Sequence, residues 1–196
     1  MALAPGLSDP VHDGQAVFRA VMDALARPGR IQAMAIALAP PPPLTPELAA
    51  VALALTDADA PVWLDPALAA QAEVAQFLRF HTGAPIVAES EAAAFALIAD
   101  PARCPDFSRF AQGEPAYPDR SATLVMAVEA LAEAGGVILE GPGIRGQARL
   151  SASPLPADFV ARMGRNRAAF PLGIDLLLTA PGRIAGLPRS TRVTEG

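Results

Sequence analysis

Between Gln15 and Arg27 the apolar positions recur at helical spacing. Val17, Val21 and Ala24, with Phe18, Met22 and Leu25 beside them, line one broad face. The pattern predicts a helix, with Asp13 as cap at its start and Pro28-Gly29 as its stop. Ile31 to Leu38 reads as a strand. Thr45-Pro46-Glu47 is a helix start, with threonine as N-cap and proline in the first turn, and the helix runs to Leu55. Pro61 to Leu64 reads as a short strand. Asp65-Pro66 repeats the cap-then-proline signal and opens a helix to Phe80, in which Leu68, Ala72, Ala75 and Leu78 fall at helical spacing. A strand from Pro85 to Val87 follows.

The second half is more strand-like. Ala93 to Ile98, Ala122 to Val128 and Gly136 to Leu139 read as buried strands. GPGIRGQARL turns at Gly141-Pro142-Gly143 and returns as a strand, the signature of a hairpin. Pro156 to Arg167 reads as a helix. Ile174 to Thr179 and Arg183 to Leu187 flank Ala180-Pro181-Gly182 as a second hairpin. Alternating helices and strands followed by hairpins predict an α/β fold, a mixed β-sheet flanked by helices, in a single domain over residues 1–196. PPPPL at Pro40 to Leu44 reads as a short stiff polyproline linker in preference to an SH3-type ligand.

Composition narrows the chemistry. Hydrophobic residues make up 52% of the 196, yet no apolar run approaches the roughly 20 residues that span a bilayer. The N-terminal MALAPGLSDP has neither a basic region nor an apolar core, so no signal peptide is expected and a cytoplasmic location is. All 15 basic residues are arginine. That excludes a Schiff-base lysine, a phosphate-loop lysine and a lysine general base. The net charge of -5 and the scatter of the arginines argue against a nucleic-acid partner. Cys104 is the sole cysteine, so an internal disulfide and a Cys-rich metal or iron–sulfur site are excluded. With two histidines and no H-x-x-x-H or C-x-x-C spacing, no metal site is expected.

Candidate chemistry gathers at a few positions. His81, in LRFHTGAP, is a candidate general acid/base or, with Arg79, an anion ligand. It also lies where a helix gives way to Gly83, where an imidazole can serve the last free carbonyls and the helix dipole favours its charged form. In an open α/β sheet ligands gather at the carboxyl ends of strands. A residue between a helix and the next parallel strand is at the other edge, so the cap, core or subunit-contact reading of His81 takes precedence. Asp57 and Asp59 offer two carboxylates that suit a cation or an acid/base pair, or a helix-to-strand turn. Gly141 and Gly143 suit a phosphate cradle of backbone N–H groups, although Pro142 removes one donor and a hairpin turn explains them more simply. Trp63 reads as packing in a core strand, and no serine has a G-x-S-x-G setting. The residues alone define no catalytic constellation.

Several stretches, taken in order, do resemble a known family. They are FRAVMDALARPG (Phe18 to Gly29), ALTDADAPVWL (Ala54 to Leu64), LRFHTGAP (Leu78 to Pro85), FPLGIDLLLT (Phe170 to Thr179) and LPRSTRV (Leu187 to Val193). Their order and spacing are similar to PhnH, a subunit of the bacterial carbon–phosphorus lyase core complex, over nearly the whole chain. The resemblance implies an accessory, non-catalytic role in phosphonate utilisation. The complex places an alkylphosphonate such as methylphosphonate on ribose, displaces adenine from ATP and leaves a 5-triphosphate; a separate radical step cleaves the carbon–phosphorus bond. It further implies partners among the other core subunits, including the radical-enzyme subunit, and a homodimer when isolated. The implied fold is similar to that of pyridoxal-phosphate-dependent transferases with the cofactor site lost, and no cofactor is expected. A chain without lysine, which cannot form the internal aldimine, agrees with this. The competing reading is a small-molecule protein that binds or transforms a phosphonate or nucleotide through His81, or through Asp57 and Asp59.

Overall fold

In the computed structural model, which describes residues 3–196, α1 (Pro10–Ala26) starts at Asp9 and not at Asp13. The first two residues of the N-terminal stretch read for a leader lie outside the described residues. The Asp9 carboxylate accepts from the N–H groups of Val11 and His12, and Asp13 Oδ2 accepts from the N–H of Asp9 at 3.0 Å. The two acids thus close the first turn reciprocally. Next come β1 (Gln32–Ala33), α2 (Pro46–Leu55), β2 (Val62–Leu64), α3 (Pro66–Ala69), α4 (Ala72–Thr82), β3 (Ile86–Val87) and β4 (Phe95–Ile98). After them lie β5 (Gln112–Glu114), β6 (Tyr117–Ser121), β7 (Thr123–Ala127), β8 (Ala130–Glu140) and β9 (Ala148–Ser153). The chain ends with α5 (Phe159–Ala168), β10 (Asp175–Ala180), β11 (Arg183–Leu187) and β12 (Arg192–Thr194).

A seven-stranded mixed sheet, in the order β1-β11-β10-β7-β4-β2-β3, forms the centre. Neighbours from β10 to β3 are parallel, and β11 is antiparallel to both β10 and β1. The period of two explains why its strands read as continuous apolar runs. Leu177, Val125 and Leu97 point to one face, where they meet Val17, Val21, Leu48, Val51 and Phe77 of α1, α2 and α4. Their chain neighbours Leu176, Leu178, Leu124, Met126, Ala96 and Ile98 point to the other, onto Phe107, Phe110, Phe159 and Met163. That second face is covered by α5 and by a three-stranded antiparallel sheet in the order β12-β8-β9. Each of these leucines is 0% exposed, a burial that stabilises the fold by roughly 1.5–3 kcal/mol per side chain.

The structure corrects several expectations. Phe18 and Met22 remain 49% and 50% exposed, because α1 buries only the Val17-Val21-Ala24 stripe. The strand expected over Ile31 to Leu38 shortens to β1, since its partner β11 runs out at Arg183, opposite Ala33. The helix expected from Pro66 to Phe80 breaks at Gln71, whose backbone is extended and whose N–H returns to the Leu68 carbonyl. The buried stripe of α4 is therefore Val74, Phe77 and Leu78, not Ala72 and Ala75. Of Gly136 to Leu139, expected to be buried, only Leu139 is; β8 is a long hairpin strand with a register shift between Ala132 and Val137. Pro40 to Leu44 is a turn, with the Leu44 N–H on the Pro41 carbonyl, and not a stiff linker. The β5–β6 hairpin, β12 and two short 3₁₀ turns in residues 101–109 had no counterpart in the apolar pattern.

Candidate functional site

The carboxyl edge of a parallel sheet is where a ligand crevice is expected, above all where the strand order reverses. Here β3 lies on one side of β2 and β4 on the other, so the reversal falls between β2 and β4. Asp65, directly after β2, sits at that point and is 2% exposed. One oxygen caps α3 by accepting from the Leu68 N–H at 2.9 Å. The other accepts from the N–H groups of Ala99 and Asp100 at 2.9 Å each. The carboxylate is thereby consumed in joining the ends of β2 and β4.

Beside it, beyond β4, β7 and β10, lies a pocket of about 460 Å³. Ala99, Ala127, Val128, Ala180, Pro181 and Pro46 give it an apolar lining. Three of its polar side chains are also engaged within the chain, while Glu129, exposed at the rim, completes the lining. Thr45 Oγ1 accepts from the Leu48 N–H, Thr179 Oγ1 donates to the Met126 carbonyl and Glu47 accepts from the Gly182 N–H at 2.8 Å. A larger cleft of about 490 Å³ opens between the end of α1 and the β8–β9 loop, with Arg30, Arg145 and Glu133 on its walls. Arg30 is paired to Glu133 at 2.9 Å. The Ile31 N–H and Arg30 together hold the Glu133 carboxyl below the usual range. Among the described residues, no group of three or more His, Cys, Asp or Glu side chains is placed to hold a metal ion.

His81 lies on the opposite, amino edge of the sheet, in the last turn of α4 ahead of β3, which is parallel to β2. Its Nε2 donates to the Ala4 carbonyl at 3.0 Å, which requires the proton on that nitrogen. Its ring packs 4.6 Å from Phe77 and 5.0 Å from Phe80. The Gly6 backbone passes so close that a Cβ there would meet the imidazole at 2.8 Å. His81 therefore clasps the N-terminal arm onto α4. Arg79, exposed, carries the carbonyl that receives the N–H of Gly83, the left-handed C-cap with φ 74°.

Asp57 Oδ1 accepts from the Asp59 N–H at 2.9 Å, which makes the pair an Asx turn. That turn abuts the α4 cap, where a Cβ added at Gly83 would come within 3.9 Å of Ala58. The structure thus brings Asp57, Asp59, Arg79 and His81 to one edge. Gly141 and Gly143 lie elsewhere, in the β8–β9 loop. At Gly143, with φ 81°, a side chain would collide with the Ala26 carbonyl at the end of α1, so glycine is required for close backbone approach.

Sequence reasoning missed Arg189 as a hub. Its guanidinium donates to both oxygens of Asp175, to Ser121 Oγ and to the carbonyls of Pro118 and Pro171. It binds together the amino end of β10, the end of β6 and the loop after α5. The only signal was its place in LPRSTRV. On the α5 side, Arg162 bonds Asp158 and the carbonyls of Cys104 and Pro105, while Arg165 bonds Asp106. Hydrogen bonds from the Ser108 N–H and hydroxyl, and then Arg165, bring the Asp106 carboxyl down to about 2. Burial pushes the Cys104 thiol up to about 12. Arg162, Arg165 and Arg189 are thus spent on carboxylates and carbonyls of the chain itself, and none of these groupings pairs a nucleophile with a free base.

Comparison with known proteins adds what geometry leaves open. A family model described as "Bacterial phosphonate metabolism protein (PhnH)" matches residues 5–194. The alpha-D-ribose 1-methylphosphonate 5-triphosphate synthase subunit PhnH of Rhizobium meliloti (strain 1021) is 45% identical over 186 residues, 95% of this chain and 92% of that protein. The putative C-P lyase subunit protein HtxG of Stutzerimonas stutzeri is 36% identical over 76 residues, 39% of each chain.

Proposed function

The chain belongs to the PhnH family of bacterial phosphonate metabolism proteins, and from that premise we propose that it is an accessory, non-catalytic subunit of a carbon–phosphorus lyase assembly. The observation that carries this is the 45% identity along 95% of the chain to a named subunit of alpha-D-ribose 1-methylphosphonate 5-triphosphate synthase. The assembly would join ATP and an alkylphosphonate, forming the ribose 1-phosphonate 5-triphosphate and releasing adenine, with turnover carried by partner chains. Those partners include the radical-enzyme subunit, and the isolated chain forms a homodimer in the cytoplasm.

One feature of the structure and one of the sequence support an accessory role. At the carboxyl edge Asp65, Thr45, Thr179 and Glu47 are engaged in holding strand ends, turns and caps together. The fold is taken to be related to pyridoxal-phosphate-dependent transferases, and with no lysine in the chain no internal aldimine can form. A catalytic role for His81 has little support, because its Nε2 is committed to the Ala4 carbonyl.

The test is adenine release from ATP and methylphosphonate by the co-expressed assembly with and without this chain. The expected result is loss of activity and of assembly integrity on omission, and no turnover by the chain alone. Adenine release by the isolated chain would overturn the reading.

A further inference from the structure

Two aromatic residues stand out in one region of the surface, Tyr117 at 50% and Phe170 at 52% exposure. Each precedes a proline, and the carbonyls of those prolines, Pro118 and Pro171, accept from the same nitrogen, Nη1 of Arg189, at 2.8 and 3.5 Å. The Gly173 N–H also reaches the Gln112 carbonyl at 2.9 Å. The β5–β6 hairpin and the loop after α5 are therefore pinned together, although a two-stranded hairpin is marginal by itself. Arg120 stacks over the Tyr117 ring at 4.2 Å and Arg167 over the Phe170 ring at 5.2 Å. Neither guanidinium belongs to an ion pair among the described residues.

We propose that Tyr117, Arg120, Phe170 and Arg167 form the surface on which a partner subunit docks, through a face that offers carboxylates to the two guanidiniums around an apolar centre. This rests on the proposed subunit role and names the surface that serves it. Tyr and Arg are enriched where interfaces concentrate their binding energy. Stacked, hub-anchored side chains have little freedom left to lose on association. Six other arginines are paired with carboxylates and Arg183 with a carbonyl, whereas these two are held over exposed aromatic rings without an anionic partner among the described residues. A nucleic acid fits less well: the arginines are scattered along a chain of net charge -5 and do not cluster into a basic stripe for a phosphate backbone. The exposed stripe of Val11, Phe18 and Met22 on α1 has no comparable anchored cation.

The test is co-expression with the other assembly subunits, read by native mass spectrometry. Three variants are compared with the wild type: Arg120→Glu/Arg167→Glu, Tyr117→Ala/Phe170→Ala, and Phe18→Ser/Met22→Ser on α1 as the control. Both patch variants should bind at least about 30-fold more weakly, the scale of a single lost hot spot. The α1 variant should stay in the complex. Thermal unfolding of each isolated variant separates lost docking from lost folding, and the charge reversal alters only exposed side chains. Full occupancy of the complex by well-folded patch variants overturns the proposal. So does loss of self-association with the hetero-complex intact, which would assign the surface to a second copy. A wild-type chain that fails to join the complex overturns the subunit role itself and this docking surface with it.

Discussion

Replacing Asp65 by alanine removes the acceptor of three main-chain N–H groups at once, those of Leu68, Ala99 and Asp100. Leu68 N–H is the capping bond of α3, and loss of such a cap costs about 1 kcal/mol. The other two bonds run to a charged acceptor at a site 2% exposed. Donors left without a partner there cost about 1–3 kcal/mol each, less whatever water recovers. The combined destabilisation is about 3–5 kcal/mol. For a chain of this length, 1 kcal/mol moves Tm by about 2–4 °C, so Tm should fall by about 6–20 °C. The assay is thermal unfolding of the isolated chain by circular dichroism, paired with adenine release by the assembly reconstituted below the variant's Tm. A structural Asp65 predicts that activity follows the folded fraction. If Asp65→Ala kept its Tm within about 2 °C and abolished turnover, Asp65 would be acting on substrate and the crevice reading would fall.

Three further outcomes follow from the geometry. Arg189→Ala leaves the Asp175 carboxylate, 24% exposed, without its bidentate partner and should cost about 3–5 kcal/mol in urea unfolding; Arg189→Lys, which cannot span five acceptors, should recover only part of that. His81→Ala should free the N-terminal arm, read as faster proteolysis near Ala4, at a stability cost of about 1 kcal/mol for the lost hydrogen bond. Cys104 ionises less readily folded than unfolded, so its contribution is complete below the ordinary thiol pKa of 9.0 and declines as pH rises toward about 12. At pH 8 the thiol should therefore react with a disulfide reagent only as the protein unfolds, and rapid labelling of the native chain would contradict its burial.

Two cap-then-proline helix starts were the most legible part of the chain, because Thr45-Pro46 and Asp65-Pro66 fix their caps within a residue or two of sequence. The α1 helix opens on the same kind of pair, Asp9-Pro10, where the apolar period points to Asp13 instead, and the starts of α4 and α5 carry no such pair. The core strands were legible for a similar reason: Leu176-Leu177-Leu178 is a short apolar run of the kind a strand buried on both faces carries. What escaped detection depends on distant partners. The length of β1 is set by where β11 ends, and the break at Gln71 by packing of Val74 and Phe77 that a periodic stripe does not distinguish from Ala72 and Ala75. The same holds for the sites. Asp65 shows in sequence as a cap, but its second oxygen acts 34 and 35 residues away. Arg189 reaches 68 and 71 residues back to Ser121 and Pro118, a network with no local signature. Asp57, Asp59, Arg79 and His81 do converge on one edge, yet that convergence became visible only with β3 paired parallel to β2.

The central claim is that this chain works as part of an assembly. It is tested most directly by co-expressing it with the other carbon–phosphorus lyase subunits and passing the product over a size-exclusion column coupled to light scattering. The account predicts that the chain co-elutes with those subunits in a fixed stoichiometry that persists as salt is raised. A chain that elutes apart from them at every salt concentration would contradict it.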